Sequence, residues 1–405
     1  MKEIKASISL ICIEKSKKSI SGGISLLAIL VVLAVPALPV QAQMDPEVLT
    51  PVPALQDGRL EVTTAAGSGI ALLHVTRDWS VVQPGIQRAV IVIHGWPRRD
   101  LRSGEFAATR AGANAQTAIV ITPQFLIQAD VTRYQLPPST LRWGPNDWAI
   151  GRDAIAPARI SSFEVLDAIL QRLADRQRFP DLREVVIAGH SAGGRFAQHY
   201  AAVEHGEAQL LKNGIHIRYV VANPSAYLYL NDERPVPPTA TCTTVNRWEY
   251  GLGSNIPRYV QAPLNPQAVR ERYFAKDIIY LLGTADNDPH HHQLDRSCAA
   301  EAQGPTRFQR GLAYVERMKA SGALHQSLLE VPGVGHHSSQ MFASTCGVSA
   351  LFGDGSCGDM ASGWGWEHAM SAPPAAMVGG RRSRCRDIRC WMAWSAMTSH
   401  TGAWP

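Results

Sequence analysis

Short continuous apolar runs alternate along this chain with segments of helical periodicity. "RAVIVIHG" (88–95) and "TAIVITPQF" (117–125) are β-branched runs, the pattern of strands covered on both faces. "SSFEVLDAILQRLADRQRF" (161–179) puts Phe163, Val165, Leu166, Ile169, Leu170 and Leu173 on one helical face, with Ser161 or Ser162 as N-cap. "REVVIAGHSAGGRFAQHYA" (183–201) passes from strand to helix within a few residues. "IHIRYVVANP", "DIIYLLGTAD", the helical "RFQRGLAYVERMKA" and "QSLLEVPGVGHH" continue the alternation. Such alternation predicts an α/β fold, a parallel sheet covered by helices. Residues 227–275 are rich in Pro, Asn and aromatics without a clear period, and read as a cap or lid inserted over the sheet.

The two ends of the chain differ from the body. Lys15, Lys17 and Lys18 precede the apolar run "ISLLAILVVLAVPALPV" and a small-residue pattern ending at Ala42. This predicts a cleavable secretory signal over 1–42, so the chain meets a membrane only during export. Beyond about residue 353, "GDGSC", "GWGW" and "RRSRCRDIRC" show neither strand nor helix period, and 353–405 is expected to be an irregular, disordered tail. The main domain is then 43–352. The formal charge of +5 sits at the ends: +3 over 1–42 and +4 over 381–405 leave −2 for the body, which speaks against a nucleic-acid partner. Export also changes the meaning of the cysteines. Removing Cys12 leaves six of the seven in a compartment where disulfides persist, and Cys242–Cys298 and Cys346–Cys357 are the expected pairs.

Chemistry concentrates at Gly189-His190-Ser191-Ala192-Gly193, a G-x-S-x-G pattern between an apolar strand and a helix. That setting is the elbow that lifts a serine hydroxyl above the edge of a sheet, the glycines being needed because the turn is strained and crowded. Trp143 and Trp148 in "LRWGPNDWAIG" suit either a substrate-binding loop or a core anchor. His290-His291-His292 invites a metal reading, but adjacent side chains diverge and no matching Cys or carboxylate pattern surrounds them, so a solvated loop is favoured and no metal is expected.

On this elbow and its context the chain resembles the α/β-hydrolase superfamily over roughly residues 70–350. "ANPSAYLYL", "WEYGL" and "LDRSCAAEAQGPTRFQRGLAY" look like exported members of it. The resemblance implies a mostly parallel eight-stranded sheet and a Ser, Asp or Glu, His order of catalytic groups. Ser191 is the nucleophile, Asp286 after "IIYLLGTAD" the acid with Asp288 as its rival, and His336 the base with His337 competing. The oxyanion donors are expected at the amides of Ala192 and, after "IVIHGWP", of Trp96. His94 and His190 are further substrate-binding candidates, although for His94 a structural bridge is favoured. The implied activity is hydrolysis of a small-molecule or polymeric ester with no cofactor, since the histidine supplies the proton transfers.

Overall fold

The computed structural model describes residues 46–260, 263–353 and 357. Eight strands form one sheet: β1 (Arg59–Thr64), β2 (Gly67–Val75), β3 (Arg88–Ile93), β4 (Ala118–Gln124), β5 (Glu184–His190), β6 (His216–Ala222), β7 (Asp277–Gly283) and β8 (Gln326–Val331). Their spatial order is β1-β2-β4-β3-β5-β6-β7-β8, antiparallel across β1-β2 and β2-β4 and parallel thereafter.

Side chains alternate across a strand, so each buried run feeds two apolar layers. Ile91, Ile93, Ile121, Val185 and Ile187 pack on one face with the helices Ser162–Leu173 and Ala192–Val203. Val90, Val92, Val120, Val186 and Ala188 pack on the other, against Ala107 of the helix Ser103–Ala111 and against the helices Ser338–Ala343 and Thr345–Phe352. This double cover explains why β3, β4 and β5 read as unbroken apolar runs. The first pair was not legible that way: β1 alternates exposed and buried positions at the sheet edge, and its "RLEVTT" carries too little apolar character to stand out.

The helix read over 161–179 is shorter, Ser162–Leu173. Ser161 caps it, accepting from Phe163 N, and Glu164 returns a bond to the Ser161 amide. The region 227–275 is anchored into the main core: Tyr227, Leu228, Tyr229, Trp248 and Tyr259 are buried there, and Trp248 Nε1 donates to Ile150 O at 2.7 Å. Near its end the nine residues Pro266–Phe274 form a helix, with Asn265 accepting from two of its first amides. Disulfides join Cys242 to Cys298 and Cys346 to Cys357. Of the two terminal segments, 1–42 lies outside the described residues, and of 353–405 only Gly353 and Cys357 lie within them.

Candidate active site

The carboxyl end of β5 passes straight into the helix Ala192–Val203, and Ser191 makes the turn with φ 59° and ψ −120°. A positive φ on a residue with a side chain is strained and persists only where surroundings impose it. Here two glycines do so by letting backbone approach backbone. A Cβ on Gly189 would overlap the Gly193 carbonyl, and one on Gly193 would overlap that of Ile93. Ser191 N donates to Ala222 O at the end of β6, at 2.9 Å.

The loops after β7 and β8 reach this turn and bring two further groups to it. Asp286 lies just past β7 and is 4% exposed. His336 follows β8 in the loop before the helix Ser338–Ala343. His336 Nε2 is 2.9 Å from Ser191 Oγ, and its Nδ1 is 2.7 Å from Asp286 Oδ2. The rivals lie elsewhere: Asp288 is exposed and accepts from the His290 amide, while His337 is exposed at the start of the following helix. Burial, then the Arg307 charge, hold His336 well below the ordinary histidine range. Burial also pushes Asp286 up, with Arg307 acting against it.

The turn after β3 closes over the serine. A Cβ on Gly95 would lie 3.7 Å from Ser191 Cβ. Arg98 N donates to Gly95 O, closing the turn that carries Trp96. Ala192 is the first residue of its helix, where an amide has no partner within the helix. Both amides named from the sequence thus sit on segments next to Ser191.

All four suggested substrate contacts are buried. Trp143 and Trp148 are 1% and 0% exposed, packed around Phe125. They are core anchors, because the 143–150 loop folds inward over the apolar layer instead of opening to solvent. His94 is equally buried and spent on backbone: Nε2 accepts from Phe125 N at 3.0 Å and Nδ1 faces Gly95 O at 2.8 Å. Burial takes its pKa down to about 3. His190 is buried too, its ring 4.6 Å from that of His336 and close to Phe342.

Two neighbours were missed. His291 meets the His336 ring edge-on at 5.1 Å, although the loop as a whole is largely exposed. Arg307, which opens the helix Arg307–Ala320, donates to Asp286 Oδ1 at 3.4 Å. Nothing in "RFQRGLAY" distinguishes a buried first arginine from a solvated one. Among the described residues no group of three or more His, Cys, Asp or Glu could hold a metal.

Sheet order, elbow and loop placement together define the α/β-hydrolase fold. A solved structure agrees on it. The chain is similar to a poly(3-hydroxybutyrate) depolymerase from Bordetella parapertussis, with 20% identity over 74% of this chain and 91% of that one and a TM-score of 0.51. It is also similar to poly(aspartic acid) hydrolase-1 from Sphingomonas sp. KT-1, with 22% identity over 71% and 96% of the two chains and a TM-score of 0.49. No protein-family model and no curated protein matches the chain.

Proposed function

We propose that the chain is a secreted serine hydrolase that cleaves carboxylic esters through an acyl-enzyme intermediate. The observation that carries this reading is the unbroken line Asp286 Oδ2, His336 Nδ1, His336 Nε2, Ser191 Oγ, with links of 2.7 and 2.9 Å. A serine hydroxyl is a weak nucleophile unless a neighbouring base removes its proton as it attacks. His336, held neutral by its surroundings, takes that proton and returns it to the departing alkoxide; water then repeats the sequence on the acyl-enzyme. Asp286 orients the ring and stabilises its transient charge. The amides of Ala192 and Trp96 are the donors for the oxyanion, and removing one such donor typically costs about 10²–10³ in turnover.

Esters are preferred because the Bordetella structure acts, by its name, on a polyester. The substrate is a small-molecule or polymeric ester. Export is supported by the signal-like residues 1–42 and by the two disulfides, which persist in oxidising compartments. Among the described residues no helix is long and apolar enough to cross a membrane.

The test is hydrolysis of p-nitrophenyl esters of increasing chain length by wild type and Ser191→Ala, beside labelling with a fluorophosphonate probe. Wild type is expected to label and to turn over, and the variant to do neither. Amide cleavage or acyl transfer to added alcohols without ester hydrolysis would make it a peptidase or acyltransferase. Failure of wild type on every substrate and on the probe would leave a binding protein on a hydrolase scaffold.

A further inference from the structure

Asp286 is gripped from two sides. Oδ2 faces His336 and Oδ1 faces Arg307, whose side chain is fully buried. Arg307 Nε donates to Ser225 Oγ at 3.0 Å, which aims the guanidinium. The start of its helix is tied to the acid's loop at two more points. Phe308 N donates to Asp286 O at 3.1 Å, and Thr306 Oγ1 donates to Asn287 Oδ1 at 2.6 Å.

A buried carboxylate with only a neutral imidazole beside it is an unpaired buried charge, and such a group relieves itself by taking a proton. Arg307 makes the resting site neutral overall. We infer that Arg307 is a positioning residue whose charge keeps the Asp286–His336 pair from taking up an extra proton. The inference rests on the proposed role of that pair.

The other groups facing the pair do not supply this charge. His190 lies behind His336 on the β5 side, His291 and His292 line the loop after β7, and His337 follows in the chain. All four are imidazoles without a fixed charge. Asp288 accepts from the His290 amide, and Asp295 is paired with Arg195 and Tyr250. Arg310, one turn along, donates to the carbonyls of Gly304, Ser225 and Asp295. Tyr227 is buried and stays protonated. Arg307 alone among these is a permanent charge in contact with the acid.

In a coupled pair the extra proton belongs to both groups, so removal of Arg307 raises the midpoint of its uptake whichever residue holds it. The experiment is an NMR titration of the His336 ring in the intact protein, assigned by loss of the signal in His336→Gln. Arg307→Met is expected to raise the midpoint by about one unit or more, and Arg307→Lys, which keeps the charge, to stay close to wild type. The acid limb of kcat/KM should move with it, whereas a merely structural role would lower rates at every pH without displacing that limb. A folded Arg307→Met with an unchanged midpoint overturns the inference. Should that variant not fold, a folded Arg307→Lys with a raised midpoint overturns it and one with the wild-type midpoint supports it. If wild type cleaves no ester, the hydrolase reading falls while the NMR midpoint still decides this one.

Discussion

At the scale of single residues the site is a matter of which groups are allowed to be charged. Asp286→Asn would present His336 Nδ1 with a donor or a weaker acceptor and lose the support of the imidazolium, so kcat on the best p-nitrophenyl ester is expected to fall about 10⁴-fold with the fold intact by circular dichroism. His94 is the opposite case, a histidine kept neutral for structure. Its Nε2 must stay unprotonated to accept from Phe125 N, and its folded pKa is about 3. The unfolded chain takes a proton on this ring below about pH 6.5 and the folded chain does not, so His94 contributes less stability as pH falls through that range. Urea titrations of wild type and His94→Gln should show a stability gap that narrows on going from pH 7 to pH 4, by up to about 1.4 kcal/mol per unit. A gap that widens would mean that His94 protonates in the native state. The elbow was readable at this scale, since Gly189, Ser191 and Gly193 are neighbours in the chain. The structural role of His94 was the favoured reading, but the buried fate of Trp143 and Trp148 was left open, because nothing within five residues of a tryptophan tells whether its loop turns inward.

At the scale of elements, strand ends decide the chemistry. β5, β6, β7 and β8 are successive parallel strands, so their carboxyl ends lie on one edge of the sheet, and the residues just past β5, β7 and β8 meet there. The loops at that edge need bracing. One brace is the Cys242–Cys298 disulfide, closing a separation of 56 residues between the 227–260 region and the segment that leads to Arg307. Cys242→Ser with Cys298→Ser is expected to cost about 2–4 kcal/mol in stability, measured by chemical denaturation, while the unreduced wild type shows no thiol from this pair. The continuous strands β3 to β7 announce themselves by apolar runs. The edge strand β1 and the inward packing of 227–260 do not, because their side chains are apolar only where a tertiary neighbour happens to cover them.

For the whole molecule, two apolar layers on the two faces of one sheet make the body, and the helix Thr345–Phe352 closes the second layer. Gly353 ends that helix in the left-handed conformation, and Cys357 returns to Cys346. A chain ending at Gly358 therefore keeps all eight strands, both disulfides and the three site residues. It is expected to hydrolyse esters at the rate of the full chain and to melt at the same temperature. An inactive or unfolded product would mean that residues beyond 358 belong to the fold.

Local pattern carried the α/β class, most strands, the strained serine and the candidates for its partners, because strand period, helix period and a glycine-fenced turn are properties of neighbouring residues. Tertiary structure brought the favoured His336 and Asp286, and not His337 or Asp288, into line with Ser191; it alone set Arg307 against the acid and turned the tryptophans inward. Ser191 and His336 stand 145 residues apart in the chain, and a hydrogen bond acts over about 3 Å. Only the arrangement of strand ends in space brings such groups within that reach.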